Sequence, residues 1–198
     1  MISVIIPAHN EGSVIARTLQ AMTDGAEPGE LDVIVVCNGC SDNTSAVARR
    51  FGAPVRVVET DVASKTHALN LGDETAKGFP RIYVDADVVI SVATIRTLAR
   101  GLETGNVLAV APIPNFDLAE CSWAVRACYE IRSLLPSAQE GVGGSGVYAL
   151  SGLVGSAFGT FRRLRRTTVM FASNSWKTSA KRFIPPIRSC FRRELSRT

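Results

Sequence analysis

Arg81-Ile82-Tyr83-Val84-Asp85-Ala86-Asp87 joins a short apolar run to two carboxylates spaced two residues apart. The run reads as a buried strand, and the acidic residues after it read as the loop at its exit. In extended backbone, residues two apart point to the same side, so both carboxylates can face one point in space. Two like charges held that close are costly unless a cation or a shared proton neutralises them. A hard divalent ion, Mg²⁺ or Mn²⁺, is the natural partner, and it keeps open positions for phosphate oxygens. A lone Asp-x-Asp is more often a helix cap beside a solvated acid. The rest of the chain decides its meaning.

Working outward, strand-like runs rich in Val and Ile occur at 2–6, 31–37, 54–58, 81–84 and 106–111. Helix-like stretches lie between them, near 12–24, 42–51, 65–77 and 92–103. This alternation predicts βαβ units, hence an α/β fold with a parallel sheet covered on both faces. Right-handed crossovers then put the strands' C-terminal ends on one edge, where ligands bind in open α/β sheets. The polar signals all follow strands. Pro7-Ala-His-Asn-Glu11 follows the first, Asn38-Gly-Cys-Ser-Asp42 the second, and Asp85-Ala-Asp87 the fourth. They are expected to converge on one rim. Local roles coexist with that one: Ser41 or Asp42 and Ser64 can cap helices, and Gly39 suits a turn of positive φ. Further on, Ala119 to Leu135 reads as an amphipathic helix stopped by Pro136. The glycine-rich stretch Glu140–Gly146 then leads into a strand, Val147-Tyr-Ala-Leu150. It has neither the P-loop ending nor the Rossmann glycine spacing. On the rim, it would let backbone approach a ligand closely.

A length of 198 residues fits one domain with a sizeable core, and 46% apolar with 20% charged residues fits a globular chain. Its longest apolar runs are strand-sized, which argues against a transmembrane helix. Met1-Ile-Ser-Val-Ile-Ile-Pro7 lacks the basic start and cleavage site of a secretory leader and reads as a first strand, so a cytoplasmic location is expected. Five cysteines without framework spacing suit a reducing compartment. Cys37 and Cys40 form a C-x-x-C with too few neighbouring ligands for zinc, and a redox role for them is a weak reading. Cys121 and Cys128 are expected to be small buried residues. The net charge of +4 sums two unlike parts. Residues 162–198 hold 11 of the 22 basic side chains and one acid, Glu194, a net of +10, against −6 for residues 1–161.

Four ordered motifs carry a family resemblance: Val4-Ile-Ile-Pro-Ala-His-Asn-Glu11, Val36-Cys-Asn-Gly-Cys-Ser-Asp-Asn-Thr44, Lys65-Thr-His-Ala-Leu-Asn-Leu-Gly72 and Tyr83-Val-Asp-Ala-Asp87. Over roughly residues 1–155 the chain resembles family 2 glycosyltransferases. The resemblance implies a GT-A type fold, with a mostly parallel Rossmann-like sheet and helices on both faces. It also implies a nucleotide-diphospho-sugar donor, a UDP-sugar being favoured, and a saccharide or lipid-linked acceptor. By the same resemblance Pro7, His9 and Glu11 cradle the nucleoside and Asn38 reads the base. Most members have Asp at that position, but an Asn oxygen can still accept a uracil imide N–H. Lys65 and Asn70 would line the donor pocket, with Lys65 offsetting diphosphate charge. Asp85, Ala86 and Asp87 match the metal motif. Asp85 and Asp87 would hold Mn²⁺ or Mg²⁺, which stabilises the departing nucleoside diphosphate.

The chain departs from the family at the catalytic base. An inverting transferase needs a group to take the acceptor's proton, and family members draw it from an acidic motif beyond the glycine loop. After Gly146 there is no Asp, and Glu194 is the sole Glu; Arg165-Arg-Thr-Thr168 stands where the motif is expected. No catalytic residue is therefore assigned, and His9 and His67 are not taken as the base. One choice of codons for Leu164–Val169, read in a shifted frame, spells Thr-Ala-Asp-Asp-Gly. With the switch to arginine-rich composition, this suggests a chain translated out of frame from about 162. The division expected is a donor-binding domain at 1–155 and a basic, atypical tail at 156–198, with impaired turnover. The rival reading is a non-catalytic protein whose tail binds a membrane or nucleic acid through clusters such as Arg162-Arg-Leu-Arg-Arg166. Nucleic acid is disfavoured because no RNA or DNA fold signature accompanies the charge, which leaves peripheral membrane contact. A sugar-nucleotide pyrophosphorylase is discounted, since Pro7-Ala-His-Asn-Glu11 replaces the glycine- and arginine-rich loop it needs.

Overall fold

Four Val- and Ile-rich strands lie side by side at the centre of the protein: β1 (Ile2–Ala8), β2 (Leu31–Asn38), β3 (Val55–Thr60) and β4 (Arg81–Val84). The computed structural model describes residues 1–103, 107–112, 114–116, 122–134, 146–152 and 187–189. All eight residues of β2 are buried, as a strand covered on both faces requires. Val33, Ile34, Val35 and Val36 are each fully enclosed, which stabilises the fold by about 1.5–3 kcal/mol per side chain.

The helices α1 (Ile15–Thr23), α2 (Thr44–Arg49), α3 (Lys65–Thr75) and α4 (Val92–Glu103) fall inside the stretches read as helical. Ile15, Leu19 and Met22 of α1 and Ile95 and Leu98 of α4 join Val4, Ile6, Val33 and Val35 in one core. Ile5, Ile34 and Val36 point to the other face, where Ala68 and Leu69 of α3 cover them. A Cβ at Gly72 would lie 2.4 Å from Ile5 Cγ2, so glycine lets α3 settle directly onto β1.

The six-stranded sheet has the order β3-β2-β1-β4-β7-β5, with β5 at Ala109–Val110 and β7 at Val147–Leu150. The β1–β2, β2–β3 and β1–β4 pairs are parallel, as expected from the alternating pattern. Strand β7 runs antiparallel to both β4 and β5. This reversal brings the start of β7, rather than its end, to the rim that carries the polar loops. Of the predicted 106–111 strand, Ala109 and Val110 join the ladder among the described residues. A separate parallel pair joins β6 (Pro114–Phe116) to β8 (Ile187–Ser189). The predicted 119–135 helix is observed as α5 (Trp123–Ser133). Apart from β8, the segment read as a basic tail, with its Arg165–Thr168 stretch and the proposed frame change, lies outside the described residues. So does most of the glycine-rich loop. Among the described residues no helix is long and apolar enough to cross a membrane.

At the opposite edge from the rim, Asp32 closes the sheet against α3. It is 5% exposed. It accepts from Arg56 Nε at 2.8 Å and Nη2 at 2.9 Å, and from the Lys77 N–H at 3.1 Å. Arg56 Nη2 also donates to the Thr75 carbonyl at 3.0 Å. One carboxylate thus joins β2, β3 and the C-terminal end of α3.

Candidate active site

The strand order reverses between β1 and β4: from β1 the chain goes on to β2 and β3, then returns to β4 on the other side. The crevice beyond the strand ends at such a point is where ligands bind in open α/β sheets. Here the loops after β1, β2 and β4 meet.

The first two loops are tied together by side chains. Asn10 has φ of 55°, a left-handed conformation that Asn tolerates, and its Oδ1 accepts from the Ser41 N–H at 2.8 Å. His9 Nδ1 lies 2.6 Å from the carbonyl oxygen of Asn38. Asp42 Oδ2 accepts from the Gly12 N–H at 2.9 Å, while Oδ1 accepts from the Thr44 N–H at 3.0 Å and the Thr44 hydroxyl at 2.5 Å. Thr44 Oγ1 accepts in turn from the Glu11 N–H at 2.8 Å. Burial pushes the Asp42 carboxyl up, but these donors outweigh it and leave it below the ordinary value.

The cap position of α2 is Asn43, not Ser41 or Asp42, but Asp42 accepts from the helix's first N–H, that of Thr44. Ser64 caps α3 by accepting from the His67 N–H at 3.4 Å. Gly39 has the anticipated positive φ, 62°. Helix α1 begins at Ile15 rather than near 12. Ahead of it the Val14 and Ile15 N–H groups donate to the Glu11 carbonyl at 3.0 and 2.9 Å, a turn that leads into the helix. Its would-be first residues belong to the rim.

The fourth-strand loop presents the carboxylates. Asp85 donates its N–H to the Gly146 carbonyl at 2.8 Å and accepts the Val88 N–H at 3.0 Å, which pins the turn. Asp85 Oδ1 accepts from Lys65 Nζ at 2.5 Å. Ala86, 4% exposed, has its carbonyl held by the buried Thr18 hydroxyl at 2.8 Å. Burial pushes the Glu11 carboxyl above its ordinary value, and the charges of Asp87, Asp42 and Asp85 push it further, partly offset by His9. Asp87, Asp42 and Asp85 thus lie near enough to Glu11 for their charges to act on it. Among the described residues no three His, Cys, Asp or Glu groups are arranged to hold an ion. Two carboxylates are what a Mg²⁺- or Mn²⁺-type ion takes from a protein when water and phosphate oxygens complete its octahedron.

Gly146 borders this site. It has φ of 67°, and a Cβ there would sit 2.7 Å from Val88 Cγ2 and 3.3 Å from Asp85 Oδ2. The glycine-rich stretch thus reaches the carboxylates at its last residue.

Of the other residues singled out, Pro7 lies within β1, opposite Val36, and Asn38 ends β2 at 4% exposure. Asn70 is half-buried on α3, the helix that Lys65 opens, and His67 is exposed on it. Thr18 escaped the sequence reading. Its only signal is a hydroxyl on the apolar face of an amphipathic helix, and such a group needs a partner. Thr18→Val should leave the Ala86 carbonyl unpaired and cost about 1–3 kcal/mol, whereas Thr18→Ser should stay near wild type. Urea unfolding of both variants checks this, and equal midpoints would show that another donor replaces Thr18.

The C-x-x-C pair offers no reactive thiolate at Cys37. Burial, with Cys40 and Glu59 adding to it, pushes that thiol up to about 12. Cys40 Sγ donates to the Ala8 carbonyl at 3.3 Å. Cys128 is exposed on α5, contrary to the burial expected of it, because its helix turns that side chain outward. Cys121 lies outside the described residues.

Known proteins are similar to this chain in sequence and in fold. A glycosyltransferase, AglE, of Haloferax volcanii is 33% identical over 118 residues, which cover 54% of this chain and 39% of that protein. The 4,4'-diaponeurosporenoate glycosyltransferase of Staphylococcus aureus is 37% identical over 91 residues, 44% of this chain and 24% of the other. The chain thus matches only about a quarter to two-fifths of these relatives' lengths. In fold it is similar to the mannosyltransferase PcManGT of Pyrobaculum calidifontis, solved with GDP-Man and Mn²⁺: TM-score 0.66, 22% identity, covering 96% of this chain and 56% of that one. It is also similar to glucosyl-3-phosphoglycerate synthase of Mycobacterium tuberculosis, solved with Mn²⁺, UDP-glucose and glycerol 3-phosphate. There the TM-score is 0.55 and the identity 23%, covering 76% of this chain and 56% of the other. The sequence pattern described as glycosyl transferase family 2 matches residues 3–166, and the chain belongs to that family.

Proposed function

We propose that the chain binds a nucleotide-diphospho-sugar at the β1/β4 crevice and serves transfer of its sugar to a saccharide or lipid-linked acceptor. The observation that carries this reading is the Lys65–Asp85 ion pair beside two cross-linked loops at the point where the strand order reverses, with Asp87 near enough to act on Glu11. In the transfer, an acceptor oxygen attacks the sugar's anomeric carbon. The bond from that carbon to the diphosphate breaks, and its electron pair leaves with the nucleoside diphosphate.

Asp85 and Asp87 would hold Mn²⁺ or Mg²⁺, and the ion supplies neutralisation of the charge that develops on the leaving diphosphate. Lys65 adds a point charge beside it. Pro7, His9 and Glu11 line the nucleoside side, Asn38 faces the base, and Asn70 and the Ala86 backbone complete the donor wall. A uracil base is favoured through Asn38, although similar folds are solved with both GDP- and UDP-linked sugars. The donor-binding unit is placed at 1–155. The tail from 156 is assigned no step of the reaction; its basic residues are read as a cytoplasmic, peripheral contact with membrane.

Calorimetric titration with UDP, GDP and dTDP, each with and without Mn²⁺, tests the reading. Saturable binding of one of them that requires Mn²⁺ is expected. Absence of binding by folded protein to all three overturns it.

A further inference from the structure

We propose that Lys65 is a displaceable counter-ion: its ammonium stands in for the metal at Asp85 and hands that carboxylate over when ion and diphosphate arrive together. This rests on the assignment of Asp85 to the metal site. The position of Lys65 is the first argument. It is the opening residue of α3, next to the Ser64 cap. That is the positive end of the helix macrodipole, where a cation is disfavoured unless a carboxylate compensates. Asp85 Oδ1 supplies the compensation at 2.5 Å.

The exposure of the pair is the second argument. The Lys65 side chain is 47% and that of Asp85 39% exposed, so the contact is wet, screened and weak enough to exchange. A lysine ammonium is also a point charge on a flexible stem, with three donors and no fixed fork, so it can move from carboxylate to phosphate without a change of backbone. The acids around it are the third argument. The charges of Asp87, Asp42 and Asp85 all reach Glu11, so a metal-free rim without Lys65 would carry more repulsion.

The consequence is a coupling between two ligands. Metal alone must compete with Lys65 for Asp85. When diphosphate is present, the displaced ammonium finds phosphate oxygens, so each ligand favours the other, and by linkage the effect is reciprocal.

The experiment is Mn²⁺ binding in the absence of nucleotide, followed by the electron paramagnetic resonance of the unbound ion. Wild type, Lys65→Met, Lys65→Gln and Lys65→Arg are compared, with far-UV circular dichroism confirming each fold. The two neutral variants should bind Mn²⁺ alone about fivefold more tightly than wild type, the scale of an exposed ion pair, while Lys65→Arg stays near wild type. In a second arm, UDP and GDP are titrated at saturating Mn²⁺, where the neutral variants should bind the preferred nucleotide more weakly. Opposite shifts in the two arms support the exchange, since general loosening would weaken both. Unchanged or weaker binding of Mn²⁺ alone in the neutral variants overturns it. Failure of wild type to bind either nucleotide strikes the donor-site reading instead, and the metal-alone arm still decides the role of Lys65.

Discussion

Replacing Asp85 and Asp87 together by alanine is expected to weaken Mn²⁺-dependent nucleotide binding by at least about 100-fold, or roughly 2.7 kcal/mol. A hard ion held by one or two carboxylates and by the substrate's phosphates loses its protein anchor when both are removed. The fold should tolerate the change. Lys65 loses an exposed partner, which costs little, and Glu11 is relieved of two neighbouring negative charges. Calorimetry with Mn²⁺ and the preferred nucleoside diphosphate, beside a urea unfolding curve, separates the two effects. Undiminished binding by a folded double variant would remove the metal role from this loop.

Asp32→Ala should destabilise the fold by about 2–4 kcal/mol without touching the site. Three donors lose their acceptor at once: two from Arg56 and the backbone N–H of Lys77. Arg56 keeps some access to water, at 35% side-chain exposure, which holds the cost below that of a wholly enclosed pair. Asp32→Asn retains the shape but not the charge and should fall between. Chemical denaturation checks this through the midpoint at constant slope. A cost under about 1 kcal/mol would mean that the guanidinium is rehydrated without penalty.

The strands and the rim were legible because each signal is local. A continuous run such as Val33–Val36 can only be satisfied by burial on both faces, and a polar cluster directly after it must sit at the strand's end. What could not be read depends on distant partners. The tie between the first two rim loops depends on Gly12 giving its N–H to Asp42, thirty residues on. The direction of β7 is set by its pairing with β4, since Val147-Tyr-Ala-Leu150 is equally apolar either way round. Thr18 acquires its meaning only from a carbonyl on another loop, and Gly146 only from the carboxylate that it borders.

The contact between His9 and the Asn38 carbonyl has a consequence for what the rim can recognise. A carbonyl oxygen only accepts, so the short bond requires the hydrogen to be on Nδ1. In its uncharged form the imidazole is thereby locked into a single tautomer, with its lone pair on Nε2. On that side the ring can receive a hydrogen bond but cannot give one. Its complement on a ligand is a hydroxyl or an imide hydrogen; a carbonyl or a phosphate oxygen is refused until the ring takes up a second proton.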